Sequence, residues 1–197
     1  MSTQGHLAIV VGHIKSSGGA KGVSPINASE YEYNVDLANM IKHAGESHGQ
    51  IINIFFRDKG GVVGAYQQVK EAVADACIEL HFNGYNGTVQ GTETWYLESG
   101  KEQETSVIKF AAIMQKHICN LFNRPLDAIG TNRGIKGAKE GDRAYHSLSQ
   151  LKRFPCILIE PFFGDNAVDA QLAVNKKQEL AEAIIVAFEE WLELLKN

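Results

Sequence analysis

The chain has 197 residues, of which 44% are hydrophobic and 21% are charged, and its formal net charge is −4. This length predicts one domain over residues 1–197, with a core large enough to need no disulfide bridges. The slight negative charge argues against a nucleic-acid-binding protein, which would carry a basic stripe. No apolar run approaches the roughly 20 residues that a membrane span requires.

The first predicted strand is the apolar run 7–11, which leads through one glycine to His13. A continuous apolar run indicates a strand that is buried on both faces of a sheet. Open α/β sheets bind their ligands at the carboxyl ends of such strands. The next segment, 14–26, contains three glycines and a proline, and it therefore predicts a loop beside a functional site.

The first predicted helix covers residues 30–44, and the residues around its start suggest a role for Glu30. Ser29 and Glu32 have the S-x-x-E spacing of a capping box, in which Glu32 bonds back to the residue before the helix. The cap explains Glu32, whereas Glu30 is free to point back toward the strand ends. We therefore favour Glu30 as the functional carboxylate and keep Glu32 as the alternative.

The middle of the chain continues the alternation of strands and helices. Its apolar spacing predicts a strand at 51–56, a helix at 65–76 with Val69 and Val73 facing inward, a strand ending at His81, a strand near the sheet edge at 92–97, and a helix at 103–122. His117 has no partner at metal-ligand spacing. We interpret it as an ordinary structural histidine, together with His6, His43, His48 and His146.

The last third of the chain predicts a loop, two strands and a long helix. We interpret the glycine-rich segment 127–141 as a loop over the site, 145–151 as a short strand, 156–160 as a strand ending at Glu160, and 167–195 as one amphipathic helix. Strands that alternate with helices predict an α/β fold, here a single domain with a twisted, mostly parallel sheet of about six strands and helices on both faces.

Three of the predicted strands end in polar residues that would meet at one edge of the sheet. These are His13, His81 and Glu160, and Glu30 joins them from the start of the helix. Imidazole nitrogens and carboxylate oxygens suit zinc. A catalytic zinc takes three protein ligands and keeps one position open, so the remaining acid would serve as a base. The pattern therefore predicts a catalytic zinc site.

The three cysteines, Cys77, Cys119 and Cys156, lie singly in apolar segments without C-x-x-C spacing. Buried free cysteine behaves as a small hydrophobic residue, so we expect three free thiols. The apolar run 7–11 is shorter than the ~7–15 residues of a signal-peptide core, and no basic segment precedes it. We therefore expect synthesis in the cytoplasm without a signal peptide.

Four short segments carry a resemblance to a known family: Val11-Gly12-His13, Glu30 with Asn34, His81-Phe82-Asn83, and residues 158–166. They resemble segments of the zinc-dependent N-acetylmuramoyl-L-alanine amidases, which include bacterial cell-wall hydrolases and phage endolysins. The resemblance runs over nearly the whole chain. It implies that His13, Glu30 and His81 bind zinc and that Glu160 is the catalytic residue.

The activity implied by this resemblance is hydrolysis of the amide bond between the lactyl group of N-acetylmuramic acid and L-alanine in peptidoglycan. Zn²⁺ would generate hydroxide and polarise the carbonyl, while Glu160 would pass the water proton to the leaving amine. Arg133, Lys136 and Asn83 are expected to bind the substrate, the two cations through its carboxylates. Such an enzyme acts on the cell wall, either as a phage lysin released through a membrane pore or as a truncated secreted enzyme.

Several alternatives stay open at this point. The chain resembles the catalytic domain of the family alone. Two rival functions remain: a zinc carboxypeptidase-like amidohydrolase and a catalytically silent peptidoglycan-binding domain. Glu79 replaces the small or short polar residue that is usual in the family, and we expect it to bond to a ligand histidine. We expect a monomer, with a dimer through the C-terminal helix as the alternative.

Overall fold

The computed structural model describes residues 4–98, 102–127, 130–152 and 154–196, with the side chains of 102–104 excepted. Its strands form a single six-stranded sheet, in the order β2-β1-β3-β6-β4-β5. In chain order the strands are β1 (His6–Val11), β2 (Ile51–Phe56), β3 (Ala76–Leu80), β4 (Thr92–Leu97), β5 (Asn132–Ala138) and β6 (Cys156–Glu160). β6 runs antiparallel to β4, and every other neighbouring pair is parallel.

Helices cover both faces of this sheet. They are α1 (Glu30–Ser47), α2 (Gly61–Glu71), α3 (Glu102–Leu121), α4 (Tyr145–Leu148), α5 (Ala167–Asn175) and α6 (Lys177–Leu194). One core cluster joins α1, α3 and α6 to one face of the sheet, and a second joins α2 and α4 to the other. The expected single-domain α/β architecture with a mostly parallel sheet is confirmed.

The register of the three central parallel strands brings their carboxyl ends to one edge. Val11 of β1 lies beside Leu80 of β3, and Leu80 lies beside Ile159 of β6. Since His81 and Glu160 follow these positions directly and His13 follows after one glycine, the sheet delivers all three side chains to the same end, as the strand pattern predicts.

Two elements between residues 127 and 151 differ from the sequence prediction. The segment expected as a loop contains β5, the edge strand beside β4. Glycine has a low strand propensity, so the sequence of this segment did not indicate a strand. Within β5, Gly134 adopts a positive φ of 75°. The segment expected as a strand at 145–151 is instead α4 followed by a 3₁₀ turn, because its apolar residues recur every third position.

Two helices also differ from their predicted bounds. α2 begins at Gly61 and ends at Glu71, so Val73 lies beyond it, 81% exposed with a positive φ of 52°, and the prediction that Val73 faces inward is wrong. The expected helix at 167–195 is two helices, since Lys176 leaves the helical region at φ −118° and ψ 23°. No glycine or proline marks this break in the sequence.

The three cysteines are buried free thiols, as expected. Cys77 and Cys156 are direct neighbours on β3 and β6. Within the described ranges, no helix combines the length and the apolar character needed to cross a membrane.

Candidate active site

Three side chains form a compact cluster at the carboxyl edge of the sheet. Glu30 joins the other two, since its Oε2 lies 3.1 Å from His13 Nε2 and its Oε1 lies 2.6 Å from His81 Nδ1. One ligand atom from each of the three residues lies within 4.8 Å of the others. Two imidazole nitrogens and one carboxylate oxygen at this spacing suit a borderline cation such as Zn²⁺, so the donor set fits the predicted metal.

The capping box at the start of α1 explains why Glu30 rather than Glu32 reaches this cluster. Ser29 Oγ accepts the N–H of Glu32, and Glu32 Oε2 accepts the N–H of Ser29 at 2.8 Å. Glu32 is thereby held at the helix end. Glu30 is buried and also accepts the backbone N–H groups of Ala20 and Phe82, which fix its carboxylate toward the strand ends.

Glycines at two positions make room for the side chains of this cluster. A Cβ on Gly12 would lie 2.5 Å from the His81 ring, and a Cβ on Gly19, whose φ is 79°, would lie 2.6 Å from Glu30 Oε2. His13 itself has a positive φ of 62°. A non-glycine residue in this region stores strain that the surroundings must support, and such strain concentrates at functional sites.

The electrostatics of the cluster keep Glu30 ionised. Burial alone would raise the pKa of this carboxyl, but its hydrogen bonds with His13 and His81 outweigh burial and lower the pKa to about 2. A carboxylate that stays charged and faces two imidazoles is ready to bind a cation without first losing a proton.

Glu79 contacts His81 of the cluster, as we expected for a residue that departs from the family pattern at this position. It is fully buried, and its Oε1 lies 3.1 Å from His81 Nε2. Its carboxylate also contacts the guanidinium of Arg57 and accepts the hydroxyl of Tyr66 at 2.6 Å. A carboxylate on the second ring nitrogen fixes the tautomer that presents the other nitrogen, Nδ1, to a metal.

Glu160 occupies the other side of the cleft, next to a second acid that the sequence reasoning missed. Antiparallel pairing of β4 and β6 places Glu93 directly opposite Glu160. The Nδ2 of Asn83 donates to both carboxyls, at 3.0 Å to Glu93 and 2.8 Å to Glu160. Burial and the contact with Glu93 raise the pKa of Glu160 to about 8. A carboxyl with a pKa near neutrality is suited to accept and donate a proton.

The two cations expected to bind substrate point at Glu93 instead. Arg133 Nε lies 2.5 Å and Lys136 Nζ lies 2.6 Å from the same oxygen, Oε2 of Glu93. Neither cation is among the residues that line the cleft. Asn83, the third residue expected to bind substrate, lines the cleft but donates to the acid pair.

The cleft is a cavity of about 600 Å³ that contains His13, Glu30, His81 and Glu160 in its wall. The same cavity is also lined by residues that were not predicted as site residues, namely Arg57, Val62, Arg143, His146 and Ser147. His146, interpreted as an ordinary histidine, therefore belongs to the cleft wall. His117 pairs with Glu190, at 2.7 Å, in agreement with its interpretation as a helix-face residue.

Asp169 anchors the strands that carry the two acids of the cleft. Its Oδ2 accepts the backbone N–H of Gly91 at 3.0 Å, just before β4, and that of Phe163 at 2.9 Å, just after β6. Its Oδ1 accepts Arg124 Nη2 at 2.9 Å. The carboxylate is buried, so this ion pair and these bonds are shielded from water.

The sequence profile of one family, the N-acetylmuramoyl-L-alanine amidases, matches residues 7–190. The chain is also 27% identical over 158 residues to an uncharacterized cell wall amidase of Bacillus anthracis, in a match that covers 76% of this chain. It spans about a quarter of that relative, 25% of its length.

Solved structures with the same fold include two catalytic domains. That of CwlV, an N-acetylmuramoyl-L-alanine amidase from Bacillus (Paenibacillus) polymyxa var. colistinus, has a TM-score of 0.77 and 21% identity, over 96% of this chain and 99% of that one. That of the CD27L endolysin targeting Clostridia difficile has a TM-score of 0.72 and 26% identity, over 93% and 95% of the two chains. The fold is thus shared over almost the full length of each chain.

Proposed function

The chain belongs to the N-acetylmuramoyl-L-alanine amidase family, and from that premise we propose that it hydrolyses peptidoglycan in a metal-dependent reaction. The bond cleaved is the amide between the lactyl group of N-acetylmuramic acid and the L-alanine of the stem peptide. The products are a muramic acid carboxylate and a peptide with a free L-alanine amino terminus. The proposed partner is therefore the cell wall, reached by a phage lysin or by a host enzyme.

The observation that supports this proposal is the convergence of His13, Glu30 and His81 within 4.8 Å, in the same cleft as Glu160. We propose that these three residues bind Zn²⁺. When bound, the ion would lower the pKa of a water and polarise the amide carbonyl. The three residues line a cavity of about 600 Å³, which gives substrate and water space beside them.

Glu160 is proposed to move the proton in this reaction. Its carboxylate form takes a proton from the attacking water, whose oxygen bonds to the carbonyl carbon. Its acid form then gives that proton to the amide nitrogen as the C–N bond breaks, because the amine must be protonated to leave. Asn83 and Trp95 donate to the Glu160 carboxyl, at 2.8 Å and 3.4 Å, and orient it.

Metal analysis and product analysis of two variants test the proposal. We expect His81→Ala to lose both bound zinc and activity, whereas Glu160→Gln keeps zinc and loses turnover by at least ~10²-fold. Purified walls are digested, and the released peptides are sequenced from their amino terminus. Loss of zinc in Glu160→Gln with its retention in His81→Ala would reverse the assigned roles.

The same digests separate the rival functions. Intact stem peptides beginning with L-alanine identify the amidase, whereas free D-amino acids would identify a carboxypeptidase. Wall binding with no released product, in protein that has its full complement of zinc, would identify a silent binding domain.

A further inference from the structure

We propose that Glu93 is a positioning residue that holds Glu160 in place, and that Arg133 and Lys136 serve this purpose instead of binding substrate. The inference rests on the proposed function of Glu160. Arg133 and Lys136, the basic side chains of β5, then stabilise the wall of the cleft, whereas the sequence led us to expect that they bind substrate.

The first observation is that Glu93 and Glu160 share their hydrogen-bond donors. Asn83 Nδ2 donates to Glu93 Oε1 and Glu160 Oε2, and Trp95 Nε1 lies 3.2 Å and 3.4 Å from the same two oxygens. The two strands place these acids directly opposite each other. Any movement of Glu93 therefore changes the geometry of both donors that orient Glu160.

The second observation is that both cations bind the oxygen of Glu93 that faces away from these donors. Arg133 and Lys136 contact Oε2, while Oε1 receives Asn83 and Trp95. Glu93 is only 3% exposed, so its charge is compensated largely by these two side chains. Each carboxylate oxygen thus has a separate set of partners.

The cations are themselves fixed by aromatic rings. The Arg133 guanidinium lies 5.2 Å from the centroid of the Phe163 ring, and Lys136 Nζ lies 4.9 Å from that of Trp95. These are cation–π distances. Each cation therefore has both an ion-pair partner and a ring partner within the wall of the cleft.

The charge state of the acid pair agrees with this arrangement. Burial would raise the pKa of Glu93, but its bonds with Glu160, Lys136 and Arg133 outweigh burial and lower the pKa to about 2. Glu93 therefore stays ionised, whereas the pKa of Glu160 lies close enough to neutrality for it to take up and release a proton. Paired acids with separated pKa values are a common way to divide such roles.

Kinetics on a soluble muropeptide distinguish positioning from substrate binding. If Glu93 positions Glu160, Glu93→Gln lowers kcat by about 10- to 100-fold, the cost of a misplaced catalytic group, and leaves KM and zinc content unchanged. Lys136→Met lowers kcat in the same direction with KM unchanged, and Lys136→Arg restores it. Lys139→Met serves as a matched control, since Lys139 is an exposed cation paired with Glu98 at 3.3 Å.

Two results would overturn the inference. One is a wild-type kcat in Glu93→Gln, and the other is a raised KM with an unchanged kcat in Lys136→Met, which is the signature of substrate binding. If Glu93→Gln fails to fold, as judged by circular dichroism, the two Lys136 variants decide. A wild-type protein that releases no L-alanine-terminated peptides would instead contradict the proposed function itself.

Discussion

The two walls of the cleft hold buried carboxyl groups in opposite states. On the wall formed by β1, α1 and β3, Glu30 is held ionised by two imidazoles, and its pKa falls to about 2. On the wall formed by β4 and β6, burial and Glu93 raise the pKa of Glu160 to about 8. The difference shows that the partners of each acid, more than its depth in the protein, decide whether its pKa is lowered, as the proposed ligand role requires, or raised, as the proposed proton transfer requires.

The largest expected effect on stability comes from replacing Glu79, whose carboxylate contacts His81 and Arg57 in the first wall. Glu79→Gln leaves the Arg57 guanidinium buried without its opposite charge, which we expect to cost about 3–5 kcal/mol of unfolding free energy. Zinc affinity should also fall by about 10- to 100-fold, because His81 loses its orienting carboxylate.

Urea unfolding and competition with a chelator measure these two effects. Tyr66→Phe is the matched control, since it removes one hydrogen bond to the Glu79 carboxylate and leaves its charge, which should cost about 1.5–3 kcal/mol. A Glu79→Gln protein as stable as wild type would show that the buried ion pair contributes nothing.

The lowered pKa of Glu30 and the raised pKa of Glu160 predict opposite changes in stability with pH. The depressed pKa of Glu30 stabilises the fold above pH 4.5, and this contribution is lost as pH falls toward 2. The raised pKa of Glu160 has the reverse sign. Wild type loses stability as pH rises from 4.5 to about 8, because the unfolded chain ionises first.

At pH 8 and with the metal removed, Glu30→Gln should therefore destabilise the protein and Glu160→Gln should stabilise it, each by about 3–4 kcal/mol. The effect of Glu160→Gln on stability should shrink at pH 4, and the effect of Glu30→Gln should shrink at pH 2. Denaturant titrations at these pH values provide the measurement, and changes of the same sign for both variants would refute the contrast.

A third prediction concerns the close packing around the histidine ligands. Gly12→Ala places a Cβ against the His81 ring and should cost about 1–3 kcal/mol together with a loss of zinc affinity. Gly49→Ala is the control, because Gly49 has a positive φ of 80° but open space around it, far from the cleft. It should lose stability and keep its zinc affinity. Equal zinc affinities for the two variants would contradict the packing argument.

The smallest effect is expected at the helix cap. Ser29→Ala removes the acceptor for the Glu32 N–H and should lower the unfolding free energy by about 1 kcal/mol. It should leave the turnover of the zinc-loaded enzyme nearly unchanged, since Glu30 keeps its own backbone donors. Thermal unfolding and a turnover assay check both statements, and a tenfold loss of turnover would show that the cap also places the ligand.

The first wall was predictable because its information is local. Apolar runs ending in His13 and His81 mark strand ends, and the Ser29–Glu32 spacing marks the helix start that delivers Glu30. The carboxyl ends of parallel strands lie at one edge of the sheet. The fold class alone therefore predicts that these residues meet, and the exact register is not needed.

The second wall was only partly predictable because it depends on pairing between distant segments. Glu160 ends an apolar strand and was found, but Glu93 meets it only through the antiparallel register of β4 and β6. β5, which supplies Arg133 and Lys136, contains glycines that resemble a loop. The signal that was available is a lone acid in the β-rich run 92–97, where burial requires a partner.

The anchor at Asp169 has a consequence for how this cleft tolerates change. The Asp169 carboxylate accepts hydrogen bonds from the backbone just before β4 and just after β6, so it fixes the positions of both acids of the second wall. Residues 84–90 are not among these partners of Asp169. A change of conformation in this surface segment therefore leaves the strand ends that carry Glu93 and Glu160 fixed by Asp169.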